Sequence, residues 1–154
     1  MSTLKSTLQS DLQTAMKAKE TLRMATLRMV IAAINVEEVS GKEAKQLSDA
    51  EVITVLGREA KKRKESAVAY DEAARPELAA AERAELDIIS SYLPPALSDD
   101  ELVDIIAQAV AAAAAAGQTG PSAMGAVMKT VTPQVAGRAD GGAVAAAVKA
   151  ALSQ

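Results

Sequence analysis

The sequence predicts an all-α protein, in which a four-helix N-terminal domain is followed by a small three-helix domain. Apolar residues recur at intervals of three and four through most of the chain. No segment alternates apolar and polar residues over the length of a strand. Alanine supplies 35 of the 154 residues, and Phe and Trp are absent. The core therefore has to come from helices that pack closely together.

The first two helices are predicted from their apolar stripes. The first stripe recurs every four residues and predicts a helix over residues 2–19: Leu4, Leu8, Leu12 and Met16. The second keeps a 3, 4, 3 spacing and predicts a helix to about Val39: Met24, Leu27, Ile31 and Ile34. Ser40-Gly41-Lys42 then provides a stop, and the two helices are expected to pair.

The third helix begins with a capping box formed by Ser48 and Glu51, in which each side chain bonds to the backbone N–H of the other residue. Leu47 is expected to pack onto Val52 across this start. The helix runs to about Ala74. The sequence Arg75-Pro76 then ends it and begins a fourth helix that reaches about Tyr92.

A domain boundary is predicted at Leu93-Pro94-Pro95, because two consecutive prolines cannot continue a helix. Composition changes at the same place. Of the 17 Lys and Arg residues, 14 precede residue 94 and 3 follow it. The sequence therefore predicts one domain over residues 1–93 and a second over residues 94–154.

The second domain begins with a near copy of the earlier capping box, Ser98 with Glu101. Its first helix is predicted to run to Gly117. Gly120-Pro121 begins a short sixth helix, which Pro133 is expected to end. Asp140 is the predicted N-cap of the seventh helix.

Composition excludes most familiar catalytic chemistry. The chain has no Cys and no His, which excludes disulfides, thiolate or imidazole metal sites and Ser-His-Asp triads. No carboxylate spacing indicates a catalytic dyad or a metal site, and no glycine-rich nucleotide motif is present. We therefore predict no catalytic residue, no metal and no cofactor, and we leave open whether the protein is an enzyme while favouring a non-enzyme.

Charge and hydropathy suggest where the protein works. The net charge of −3 excludes a generically basic nucleic-acid binder. The longest apolar run, residues 109–116, is far shorter than a membrane span, and the N-terminus lacks an apolar signal core. We expect a soluble, cytoplasmic protein that does not contact a membrane.

The densest positive cluster is the basic stretch Lys61-Lys62-Arg63-Lys64. It could lie along a phosphate backbone. Alternatively, i,i+4 pairs could neutralise it as a solvated helix face, because Glu59 is four residues before Arg63 and Lys61 is four residues before Glu65. Both interpretations remain open from the sequence alone.

A second candidate site lies in the C-terminal domain. Gly125 is predicted inside a short helix, where it costs about 1 kcal/mol relative to alanine, so either a packed helix or a ligand should offset that cost. Close helix packing is the favoured explanation in a domain this rich in alanine. Lys129 lies on the same face, four residues later. Arg138 precedes the last helix and is a better ligand contact than the free amides of that helix, because Asp140 would repel an anion there.

Several segments together resemble the YqeY-type proteins of the GatB/YqeY family, and the resemblance covers essentially the whole chain. They are Val36-Glu37-Glu38-Val39, Arg58 to Glu65 with Tyr70, Tyr92-Leu93-Pro94, Met124-Gly125 with Met128-Lys129, and Gly137-Arg138-Ala139-Asp140-Gly141. These proteins look like free-standing relatives of the helical tail of the B subunit of the glutamine-dependent tRNA amidotransferase. In that enzyme the tail helps to hold tRNA, whereas catalysis occurs elsewhere. The resemblance implies four helices followed by three.

The resemblance therefore implies a non-catalytic adaptor or binding module for tRNA or a tRNA-processing complex. The residues expected to contact RNA are Lys129, which is beside Gly125, and Arg138, with support from the basic stretch. One alternative is an amidotransferase-associated carbon-nitrogen ligase activity with glutamine as amido donor. Another is a helical protein-interaction module whose partner the sequence does not identify.

Overall fold

A computed structural model describes residues 2–154, and these residues form an all-α structure without strands, as predicted. Four helices precede the double proline: α1 (Thr3–Ala18), α2 (Thr21–Val39), α3 (Asp49–Glu72) and α4 (Pro76–Ser90). Three follow it: α5 (Asp99–Ala115), α6 (Met124–Val135) and α7 (Gly141–Leu152). A 3₁₀ helix, Gly120–Ala123, leads directly into α6.

The chain divides into two compact units, Met1–Leu93 and Pro94–Gln154. Each has its own apolar core. That either unit folds without the other stays a prediction.

The core of the first unit is made of aliphatic side chains contributed by all four helices. Its largest fully buried members are Leu8, Leu27, Ile34, Leu56 and Ile89. The capping box at the start of α3 is confirmed, because the amide of Ser48 donates to Glu51 at 2.8 Å and the amide of Glu51 donates to the Ser48 hydroxyl at 3.3 Å. Leu47 and Val52 are both buried in the same core, as the predicted staple requires.

The second unit is built on small side chains. Valines on α6 and α7 form its centre: Val127, Val131, Val144 and Val148, each at most 1% exposed. The second capping box is also confirmed, with Ser98 donating its amide to Glu101 at 2.9 Å. Asp140 caps α7 by accepting the amide of Ala143 at 3.0 Å, as predicted.

Pro133 does not end the sixth helix as predicted. It lies inside α6, which continues to Val135. A proline in the last turn sacrifices only the hydrogen bond to the carbonyl four residues earlier, here that of Lys129. The amide of Ala136 still donates to Thr132 at 3.1 Å, so the turn closes beyond the proline.

Three helices end in a left-handed residue whose flanking amides bond back into the last turn. At α5 this residue is Gly117, with φ of 83°. At α1 and α3 it is Lys19 and Ala74, with φ of 58° and 57°. A non-glycine residue in this conformation is strained, so the first unit closes two helices less favourably than the second unit closes α5.

No single helix in residues 2–154 is both long and apolar enough to cross a membrane. The segments Asp99–Ala115 and Gly120–Val135 reach that length and apolarity only as a pair, which is bent by 103°.

Candidate nucleic-acid interface

Arg63, the third residue of the basic stretch, lies inside the first unit. Its side chain is 8% exposed, and it binds Glu59 at 2.7 Å and Glu85 of α4 at 3.3 Å. The guanidinium also donates to the sulfur of Met29 on α2. Arg63 therefore ties three helices together and cannot reach a phosphate backbone, which removes it from the predicted interface.

Glu59 neutralises a second member of the stretch. Lys62 binds the other carboxylate oxygen of Glu59 at 2.8 Å. Burial alone would raise the pKa of Glu59, but Lys62 and Arg63 outweigh this effect and hold that pKa below its ordinary value. Lys61 is also engaged in an interaction. Lys64 is exposed. The predicted pair of Glu59 and Arg63 is thus present, and Arg63 serves the fold, whereas the three lysines are exposed.

Gly125 lies on the exposed surface of α6. Apart from its neighbours along α6, a Cβ atom at this position would meet no atom within 4 Å. No helix packs against this glycine, so the interpretation that close helix packing requires it is wrong. The contact of this glycine backbone with a ligand stays a prediction.

Lys129 stands one turn after Gly125 and is exposed. No ion pair or hydrogen bond to its side chain occurs among residues 2–154. Its carbonyl also lacks the usual helical donor, because Pro133 has no N–H. An ammonium group without an ion pair, an exposed glycine backbone and a carbonyl without its usual i+4 donor thus share one short segment of α6.

Arg138 has a structural task that the sequence did not reveal. Its Nε donates to the carbonyl of Pro95 at 3.0 Å, and its own carbonyl accepts the amide of Leu97 at 2.9 Å. The side chain is half-buried. Arg138 therefore anchors the segment that leads into α5, and its guanidinium is only partly available to a ligand.

A second polar cluster was also missed from the sequence. The hydroxyl of Tyr92 donates to Asp11 at 2.5 Å and accepts from Arg23 at 2.8 Å. Burial, followed by the Asp11 carboxylate, raises the pKa of Tyr92 to about 12. A phenol with this pKa is a poor acid or base near neutral pH, so the cluster locks the end of the first unit to α1 and α2.

The described residues contain no group of three acidic side chains placed to hold a metal ion. Every buried side-chain nitrogen or oxygen in residues 2–154 has a hydrogen-bond partner. The polar groups of the interior thus stabilise helices and helix contacts.

A sequence profile of the family described as Yqey-like protein matches residues 5–152. Two curated proteins are similar, and both are called "Altered inheritance of mitochondria protein 41, mitochondrial". The one from Clavispora lusitaniae is 34% identical over 101 residues, which cover 64% of this chain and 58% of that protein. The one from Meyerozyma guilliermondii is 35% identical over 104 residues, which cover 66% and 53%. The chain thus spans little more than half the length of these relatives.

The expected cytoplasmic localisation is wrong by these comparisons, since both relatives carry mitochondrial names. The absence of an apolar signal core led to that expectation. It does not argue against mitochondria, because transit peptides are amphipathic rather than apolar.

Proposed function

This chain belongs to the Yqey-like protein family, and we propose that it is a non-catalytic binding module for tRNA or a tRNA-processing complex. Support comes from the resemblance of the family to the tRNA-holding tail of the amidotransferase B subunit. Within the chain, the proposal rests on one segment of the second unit, around Gly125 and Lys129.

The observation that carries the proposal is the exposed, unpaired Lys129 one turn after the bare backbone of Gly125. Most contacts of proteins with nucleic acids go to phosphate and sugar, through cationic side chains and backbone groups. Lys129 would bind a phosphate oxygen, while the missing Cβ at Gly125 lets the sugar-phosphate chain come close to α6. The carbonyl of Lys129 can accept a hydrogen bond from a ribose hydroxyl, a group that RNA has and DNA lacks.

The remaining predicted contacts have smaller parts in this proposal. Arg138 would support the interface by holding the segment at Pro95 in place, with a minor direct contribution. Lys61, Lys62 and Lys64 are the exposed members of the basic stretch, and Lys64 can add general electrostatic attraction. Arg63 is left out because it is buried.

No observation in the described residues favours the carbon-nitrogen ligase alternative. The side chains with a shifted pKa already form hydrogen bonds or ion pairs in helix caps, between helices or in the Tyr92 cluster. The protein-interaction alternative is favoured by a different observation, the apolar exposed face of α2, which is considered below.

The test is a tRNA titration at several salt concentrations with the wild type, Lys129→Ala and Lys149→Ala. Lys149 is the matched control, because it is also an exposed cation of the second unit for which no ion pair is found in residues 2–154. Removing a phosphate contact should reduce the salt slope by about one unit. We expect this reduction for Lys129→Ala, an almost unchanged slope for Lys149→Ala and equal melting temperatures.

Two results would contradict the proposal. The wild type could show no tRNA binding at low salt, or the two variants could lose affinity equally. Equal losses would indicate that only net charge matters. Arg138→Ala completes the series, since we expect it to lower the melting temperature while it leaves most of the salt slope intact.

A further inference from the structure

The solvent-facing side of α2 carries an exposed apolar stripe, of which Met29 also accepts a hydrogen bond from Arg63 through its sulfur. The α2 stripe consists of Leu22, Ala25, Met29, Ala32, Val36 and Val39, all exposed. Seven large apolar side chains are exposed in the described residues, and four of them belong to this stripe. A surface helix normally turns charged residues to water, so an apolar outer face marks an interaction surface.

The spacing of the α2 stripe is that of a coiled-coil seam. Its members follow one another at intervals of 3, 4, 3, 4 and 3 residues, which keeps them on one side of a helix over five turns. The opposite side of α2 is already buried, with Leu27, Val30 and Ile34 in the core of the first unit. The stripe is therefore an additional seam, and its natural occupant is another helix.

We propose that the occupant is α2 of a second copy of this chain, packed antiparallel. An antiparallel pair places residues opposite each other when their numbers sum to 61, and the resulting layers are Leu22 with Val39, Ala25 with Val36, and Met29 with Ala32. Two of these three layers set a large side chain against alanine, which fills space evenly. A parallel pair in register would instead set Met29 against Met29 and Ala25 against Ala25.

Charge is compatible with self-association. The charged side chain exposed beside the α2 stripe is that of Arg28, which has no ion pair within residues 2–154. The antiparallel register places Arg28 next to Asn35 of the second copy. The net charge of −3 per chain opposes association only weakly. Charge thus does not prevent the stripe from pairing with its own copy under the two-fold symmetry that is usual for dimers.

The contact area sets the expected strength. With 19 residues, α2 is about 28 Å long. A contact along one helix of that length is expected to bury a small area. Specific interfaces bury about 1,200 Å² or more in total, and this contact would lie at the low end of that range. We therefore expect a weak dimer that forms between micromolar and near-millimolar concentrations.

Sedimentation velocity of the full chain over this concentration range tests the proposal. The test variant is Val36→Glu, and the matched control is Val68→Glu on α3. Val36 is 65% exposed and Val68 is 54% exposed, so both changes place a carboxylate on a helix surface without touching a core. Val36→Glu should weaken dimerisation by about tenfold or more, since each dimer would bury two carboxylates. Val68→Glu should dimerise like the wild type.

Cysteine cross-linking tests the orientation, and the natural chain has no cysteine to interfere. Ala32 lies close to the two-fold axis, so Ala32→Cys should form a disulfide-linked dimer. The two copies of Val39 would be roughly 25 Å apart, so Val39→Cys should not. Equal cross-linking of both variants would overturn the antiparallel register.

A wild type that stays monomeric at every concentration would overturn the proposal, and the α2 stripe would then suit a helix from a different protein. Equal dimerisation of Val36→Glu and Val68→Glu would overturn it as well. Because these readouts contain no RNA, their result is independent of the proposed tRNA function.

Discussion

The basic stretch of α3 and the segment around Lys129 on α6 show opposite relations between charge density and availability. The stretch has four consecutive cations, but Arg63 is buried and Lys62 is paired with Glu59. The second unit has only three cations, yet Lys129 is exposed and unpaired in residues 2–154. A carboxylate three or four residues from a cation offsets part of its charge. The number of unpaired cations, rather than their density in the sequence, therefore identifies a binding face.

The largest effect that distinguishes the two regions is expected for Arg63→Ala. Removing Arg63 leaves Glu59 buried with only the exposed Lys62 as a partner, and it also frees Glu85. Loss of one partner from a buried ion pair typically costs about 3–5 kcal/mol in the free energy of unfolding. Urea denaturation followed by circular dichroism measures this cost.

Lys64→Ala is the control for this measurement, because Lys64 is exposed and belongs to the same stretch. A surface substitution of this kind should change the free energy of unfolding by no more than about 0.5 kcal/mol. Equal stability of the two variants would show that Arg63 does not hold α3 to its neighbours.

The same comparison explains which features the sequence could predict. The capping boxes at Ser48 and Ser98 were predictable because their contacts span three residues. The burial of Arg63 was not, since it depends on Glu85 of α4 and Met29 of α2, which are distant in sequence. The position of Pro133 was misjudged because a proline in the last turn loses only one hydrogen bond.

The candidate site was less predictable than the fold. The sequence indicated an unusual glycine at position 125, but only the structure shows that no helix packs against it. The anchoring role of Arg138 depends on the carbonyl of Pro95, a contact that spans 43 residues. Local patterns thus identify residues of interest, whereas long-range contacts decide what those residues are free to do.

A smaller effect is expected for Gly125→Ala on α6. The space around this position is open, so the added methyl group should stabilise the helix by about 0.5–1 kcal/mol. If the bare backbone contacts RNA, the same variant should bind tRNA more weakly although it is more stable. Gly117→Ala is the contrasting control, because φ of 83° there makes alanine strained and the variant less stable. A stabilised Gly125→Ala with unchanged tRNA affinity would remove Gly125 from the interface.

The smallest effect is expected in the two capping boxes, which both pair a serine with a glutamate but have different basic neighbours. Lys45 binds Glu51 at 2.5 Å and is the largest cause that lowers the pKa of Glu51 to about 2, followed by the bonds from Ser48. The pKa of Glu101 is also lowered, first by the backbone of Ser98 and then by its side chain, with a smaller contribution from the charge of Arg138 and no lysine partner.

Because the pKa of Glu51 falls on folding, its stabilising effect is complete above its ordinary value of 4.5 and is lost as the pH drops towards 2. Carboxyl chemical shifts measured by NMR against pH should show Glu51 titrating below Glu101. Lys45→Met should raise the pKa of Glu51 and leave that of Glu101 unchanged. If the Glu51 titration does not move in this variant, the bonds from Ser48 rather than Lys45 set the pKa of Glu51.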